Sequence, residues 1–426
     1  MNRYRVIVAI VCLLASVMVS AQTASIGFTP YSMFGVGDMT RQGSTYSQQM
    51  AGFGTGDRNI RYINTINPAA VTEIDQKAFM MDFGLRQNNV LYQTTDSKSA
   101  NNTFNLDHLV LAFPIAKIGA LHFGVNTYSS TGYSFQSMEE SDELIAEVGD
   151  LRYFNHGDGG IYRGFLGAGF KISRRLSLGV DGNFYFGNIS HYSIAYFGTS
   201  SAYRSIDVGN LNTYKGISAK FGAQYQQPIG KRRELVLGAT YHLGTKMGGK
   251  TVNYAFGTAS ATDTIKYEVS DLQGFRIPAE ISVGISYRNA EKFMVGFDYT
   301  RQNWYGTDFE KEVDVDVKGC CAQSFRLGLE WTPERYDIRY YFKRISYHAG
   351  AYYEQQYLSF KGHQIAAYGF TLGVSLPVSR YFNSVNIGVD LGQRGTTADG
   401  LIRERYAMLT LGFNFHDVWF IKQLYD

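Results

Sequence analysis

Period-two alternation of apolar and polar residues, repeated about fourteen times, most limits what this chain can fold into. Its clearest run has Leu176, Leu178, Val180, Gly182, Phe184 and Phe186 on one side, with Ser177, Gly179, Asp181, Asn183 and Tyr185 on the other. The stretches from Ile217 to Tyr225, Ile281 to Tyr287 and Ala407 to Phe415 repeat the pattern. Such segments fall near 77–87, 104–113, 119–129, 161–170, 176–187, 213–226 and 234–243, then near 278–288, 292–301, 324–331, 336–347, 365–376, 384–394 and 405–415. Each is close to the roughly 9–11 residues that a tilted strand needs to cross a bilayer.

The connections between these segments form two length classes. Those near 114–118, 171–175, 227–233, 289–291, 332–335 and 377–383 are short, while 130–160, 188–212 and 244–277 are long. A soluble β-sandwich shares the alternation but not this ordering of turns. Short periplasmic turns facing long extracellular loops mark a bacterial outer-membrane barrel. The expected fold is therefore all-β: a transmembrane antiparallel β-barrel of about fourteen strands in the outer membrane of a Gram-negative cell, with both termini periplasmic. A closed barrel pairs every backbone N–H and C=O inside hydrocarbon, and its outward positions must then be apolar. Charges belong inside, at Asp181, Lys220, Glu280, Arg288, Asp298, Arg326, Glu330, Arg339 and Asp390. Aromatics near strand ends, Tyr299, Trp304, Tyr305, Trp331, Tyr381 and Trp419, are placed to form interfacial girdles.

Three regions precede or make up this barrel. Residues 1–21 read as a cleaved signal peptide, with Arg3 and Arg5 before an apolar run and Val19-Ser20-Ala21 at the cleavage site. Residues 22–76 show no strand alternation but carry aromatic and Gly-rich stretches, Phe28 to Gly35 and Ala51 to Gly56. A fourteen-stranded barrel is too wide for its own side chains to fill, so this segment is expected to be a hatch in the lumen of the barrel at 77–426. The composition, with 46 Gly, 32 Tyr and 29 Phe, suits such a wall. A net charge of +3 gives no reason to expect a nucleic-acid partner.

Little in the chain points to catalysis. The eight His are dispersed, with no metal-ligand spacing, no GxSxG elbow and no nucleotide-binding loop, so neither enzymatic activity nor a cofactor is expected. Cys320 and Cys321 could form a strained bridge or stay free thiols. The acidic stretch 139–148 reads as a short surface helix, and Asp314 with Asp316 as a solvated loop rather than a calcium site.

The segment ending Ile66-Asn67-Pro68-Ala69-Ala70-Val71, placed just before the first strand, resembles the Asn-Pro-Ala motif that closes the N-terminal hatch of the FadL-type long-chain fatty-acid transporter family, a family also known for aromatic-hydrocarbon uptake. The Gly-rich run 51–56 with Arg58-Asn59 is similar to that family's segment upstream, although Ala70-Val71 stands where the family often has Gly-Leu. The resemblance implies passive uptake of a hydrophobic small molecule, such as a long-chain fatty acid. Phe28, Tyr31, Phe34, Asn67, Pro68 and Ala69 are then the candidate hatch and gating residues. Partners on this view are the hydrophobic ligand and outer-membrane lipid. The alternative is a barrel that binds an outer-membrane or periplasmic protein in a secretion or surface-attachment machinery.

Overall fold

A computed structural model of the chain describes residues 27–76, 78–115, 118–197, 204–257, 263–272, 274–306, 317–378 and 383–418. The signal segment, Asp314, Asp316, Tyr381 and Trp419 lie outside the described residues. The wall has 14 strands. They are β1 (Ala78–Gln93), β2 (Lys98–Ile115), β3 (Gly119–Met138), β4 (Leu151–Lys171), β5 (Leu176–Phe197), β6 (Ile206–Pro228) and β7 (Arg233–His242). They continue with β8 (Glu280–Asn289), β9 (Phe293–Asn303), β10 (Cys321–Trp331), β11 (Ser346–Phe360), β12 (His363–Pro377), β13 (Ser384–Arg394) and β14 (Arg403–Val418). Each pairs antiparallel with the next, and β14 returns to β1 from Ala78↔Val418 to Gln93↔Arg403, closing the barrel.

The pleat sorts side chains as the alternation requires. Along β5, Leu178, Val180, Phe184 and Phe186 are exposed on the outer face, while Ser177, Asp181, Asn183 and Tyr185 are buried on the inner one. Beyond the membrane-crossing lengths, β3 to β6 run on past their expected ends, so much of the loops read at 130–160 and 188–212 is strand. The loop at 244–277 holds a hairpin, Gly248–Gly257 with Thr264–Asp271, that pairs with β6. A strand needs neighbours rather than lipid, and beyond the expected crossing length these strands supply one another.

Two local expectations are corrected. No strand spans 336–347: Tyr336, Ile338, Tyr340 and Phe342 alternate with polar residues but stand exposed on a turn that includes a short helix, α1 (Tyr341–Arg344). Arg339 is exposed on that turn instead of facing the lumen. The strand lies further on, in β11, whose outward Ala349 and Ala351 are too small to register as an apolar stripe. Trp304 is not an interfacial anchor either; it is fully buried beneath the extracellular end, its ring tilted against that of Tyr357 at 4.6 Å. The acidic stretch does form a helix, Asp142–Val148, with Ser141 at its N-cap. Cys320 and Cys321 are free thiols.

Candidate functional site

Residues 27–76 run down the inside of the barrel. At the extracellular end Thr29 donates its backbone N–H to Gly132 of β3 at 2.7 Å, and Tyr92 of β1 donates its hydroxyl to the Phe28 carbonyl. At the periplasmic end the 3-10 turn Pro68–Glu73 lies against β4 and β5, with Thr72 donating to Ser177 at 3.1 Å. Between these ends are the two-residue strand Asp38–Met39 and the helical turn Thr45–Gln48.

Buried charges fix this segment to the wall. Asp298 of β9 accepts the backbone N–H groups of Gly54 (2.8 Å), Thr55 (2.7 Å) and Gly56 (3.3 Å), so the Gly-rich run wraps one carboxylate as a nest. Next to it Arg288 bridges Asp57 (3.0 Å) and Glu330 (3.1 Å), and Tyr46 donates to Glu330 at 2.9 Å. Desolvation pushes the Asp57 carboxyl up to about 6, against the pull of Arg288. Higher up, Arg41 pairs with Asp390 (2.7 Å) and Glu354 (3.3 Å), and Arg394 with Asp38 (2.6 Å) and Glu404 (2.6 Å). Removing one member of a buried pair strands its partner, at a cost of about 3–5 kcal/mol.

Close approach of wall glycines to the segment completes the seating. Gly179 and Gly222 face Pro68 and Asn67, Gly238 and Gly284 face Thr55 and Gly56, and Gly296 and Gly328 face Phe53. A Cβ at Gly179 would fall inside contact distance of the Pro68 carbonyl carbon, and one at Gly238 would meet the Thr55 carbonyl oxygen. These inward glycines let the wall touch the segment without side chains between them.

The six candidate residues divide into two groups. Asn67 caps the 3-10 turn by accepting from Ala69 N–H at 3.0 Å, and its amide donates to the carbonyls of Thr55 (2.9 Å) and Ala223 (3.2 Å). Pro68 takes the first position of the turn, where its missing N–H costs nothing, and Ala69 is wholly buried. Phe28, Tyr31 and Phe34 sit at the opposite, extracellular end: Phe28 packs on Tyr92 at 5.7 Å, and Tyr31 and Phe34 on Phe360 at 5.2 and 5.3 Å. Tyr31 and Phe34 cover an apolar cluster that includes Tyr128, Tyr185, Trp304 and Tyr357. The two groups are therefore joined by the segment and not in one site.

The wall itself is split between β2 and β3. These strands pair only from His108↔Asn126 down to Ile115↔Gly119, leaving 98–107 and 127–138 apart. A bulge at Asp107 interrupts the β1–β2 register, and a second at Tyr128 interrupts β3–β4. Arg86 holds Asp107 inward at 2.6 Å. Within the split β3 pairs instead with the lumenal segment 27–76, the plug, through Asp38↔Ser130 and Met39↔Ser129. A cavity of about 110 Å³ lies behind the opening, bordered by Asn105, Leu106 and Asp107 on one side and Thr127 and Ser130 on the other. A second, of about 140 Å³, lies deeper beside Arg163, Lys220 and Glu280. Outside, the exposed Leu106, Leu109 and Val125 keep the lower rim apolar. Sequence reasoning missed this split, although the adjacent polar pair Asp107-His108 breaks the alternation there.

The fold is that of FadL-type channels. The Ralstonia pickettii toluene transporter TbuX superposes with a TM-score of 0.59 at 15% identity, covering 88% of this chain and 98% of that one. A Pseudomonas aeruginosa FadL homologue gives 0.55 at 11% identity, covering 90% and 99%. The P. putida toluene transporter TodX gives 0.54 at 13% identity, covering 90% and 100%. No curated protein matches the sequence. A family model described as BamG matches residues 3–426.

Proposed function

The chain belongs to the BamG family, and on its geometry we propose that it is an outer-membrane channel through which hydrophobic small molecules pass without an energy source. The split between β2 and β3 carries this reading: a lumenal cavity stands directly behind a gap whose lower rim is apolar and lipid-facing. A hydrophobic solute that reached the cavity would leave sideways into the bilayer and avoid the charged ring around the plug. The plug would then gate the route, because its strand Asp38–Met39 occupies the edge of β3 that β2 leaves free. Toluene and monoaromatic hydrocarbons are what the structurally similar channels are described as carrying. A long-chain fatty acid is the bulkier candidate.

The test is uptake of radiolabelled toluene and oleate by cells expressing the barrel against cells lacking it. Faster uptake is expected, and Leu106→Gln, which makes the mouth polar without adding a charge to the outer face, should slow it several-fold while the heat-modifiable folded band is kept. Equal uptake with and without the barrel would overturn the proposal. One observation favours a second role, as a barrel subunit that binds another envelope protein. The extracellular half of the lumen is already filled by its own apolar cluster, and the two lumenal cavities described above are small and bordered by charges. That role predicts stoichiometric co-purification of a partner after mild detergent extraction.

A further inference from the structure

The turn between β10 and β11, residues 332–345, is longer than the other periplasmic turns and is well anchored. Asp337 accepts the backbone N–H of Arg339 (2.7 Å) and of Tyr340 (2.6 Å), and also pairs with Lys343 at 3.1 Å. Tyr341 donates to the Pro377 carbonyl at 3.0 Å, and Tyr347 of β11 donates to the Phe342 carbonyl at 3.2 Å. This anchored turn nevertheless presents apolar groups outward: Ile338 is 98% exposed, Tyr336 70% and Phe342 58%. Facing water, those side chains would oppose folding.

The cations of the turn are unusual as well. Arg335 points inward to Glu330 at 3.1 Å. Arg339 and Arg344, by contrast, have no carboxylate partner among the described residues. Arg344 lies over the Tyr341 ring at 5.1 Å with its Nε unbonded. Directly beneath the turn, the outer wall carries an apolar groove of about 600 Å³, bordered by Leu329, Trp331, Tyr347, Leu372 and Val374. Its floor is low because Ala349 is small. Tyr347 lines the groove and also holds α1, so groove and turn are one continuous surface.

We propose that this surface binds an anionic phospholipid of the periplasmic leaflet. One acyl chain lies in the groove over Ala349, and the phosphate is met by Arg339 and Arg344. The surface continues the lipid-facing wall, which commits the occupant to lipid. Two unpaired guanidinium groups at the headgroup level fit an anion, and guanidinium binds phosphate bidentately. Trp331, Tyr340 and Tyr347 are the interfacial side chains expected around such a headgroup.

The experiment uses the full-length barrel in nanodiscs of mixed phosphatidylglycerol and phosphatidylcholine, with retained lipid counted by native mass spectrometry. Wild type should keep phosphatidylglycerol in preference to phosphatidylcholine. Arg339→Gln with Arg344→Gln should lower that retention about thirtyfold, and Ala349→Phe, which fills the groove, should lower retention of both lipids. Arg174→Gln with Arg175→Gln, in another periplasmic turn, should change nothing. Heat-modifiable mobility would establish that every variant is folded. Equal retention of the two lipids by wild type, which would leave the face to a periplasmic protein, overturns the proposal. So does undiminished phosphatidylglycerol retention in the double arginine variant.

Discussion

Asp298→Ala should release the centre of the plug. The carboxylate accepts three buried backbone N–H groups, at 2.8, 2.7 and 3.3 Å. A hydrogen bond to a charged group contributes about 1.5–3 kcal/mol, and an orphaned buried donor costs about 1–3 kcal/mol. The three bonds share one acceptor and do not simply add, so the loss is put at about 3–6 kcal/mol. At about 1.4 kcal/mol per decade, that shifts the local docking equilibrium by roughly 10²- to 10⁴-fold. Asp298→Asn keeps one oxygen acceptor and should lose about 1–2 kcal/mol. Gly284→Ala should imitate Asp298→Ala, because its Cβ would press on both the Asp298 carboxylate and the Gly56 nitrogen. Ser282→Ala is the control, since Ser282 bonds Thr300 at 2.9 Å and not the plug. Hydrogen exchange at Gly54, Thr55 and Gly56, with planar-bilayer conductance, reads the outcome. Asp298→Ala should lose protection at all three amides and open more often. Unchanged protection in a closed, folded Asp298→Ala barrel would refute this account of how the plug is held.

Other perturbations test other links. Leu178→Arg places a cation on the lipid face and should cost about 2–4 kcal/mol, seen as loss of the heat-modifiable folded band; normal assembly would mean that the β5 register is wrong. Asn67→Ala removes the cap on Pro68–Glu73 and the bonds to Thr55 and Ala223. It should destabilise the lower plug by about 1–3 kcal/mol, detected as faster proteolysis near residues 60–76. Asp57 binds its proton more tightly when docked, its carboxyl rising from 3.8 to about 6. Its contribution to docking is therefore fully present below about 3.8 and lost as pH rises through about 6. Asp57→Asn should flatten the pH dependence of plug release by urea across that window, whereas an unchanged slope would assign the dependence to another group.

The barrel was legible because lipid imposes a rule that every strand must obey. Outward Leu178 and Val283 had to be apolar whatever their neighbours, so period two survived in the sequence. The inner face obeys no such rule. Ser177 and Gly179 read only as small or polar inward residues, and nothing in their type shows that both touch the plug. An Arg at Ser177, which a water-filled interior would accept, would strike Thr72. Asp298 stood out as an inward charge, but its partners are three backbone amides some 240 residues earlier in the chain, with separations of 242–244. No spacing rule connects them. The segment 336–347 misled for the opposite reason: alternating aromatics at a membrane interface obey the same chemistry as a strand without being one.

The direction in which residues 27–76 travel bears on how the molecule can be made. Gly27 and Phe28 sit near the extracellular rim, while Glu73 and Ala78 lie at the periplasmic one, so the early chain is enclosed along the full height of the lumen. A finished cylinder could receive that thread only by drawing it upward past the Asp298 and Arg288 contacts. The simpler order is the reverse, with the wall wound around a thread already lying inside and β14 zipped to β1 last. Biogenesis would then fail at the final seam, not at insertion, whenever the thread is mis-seated.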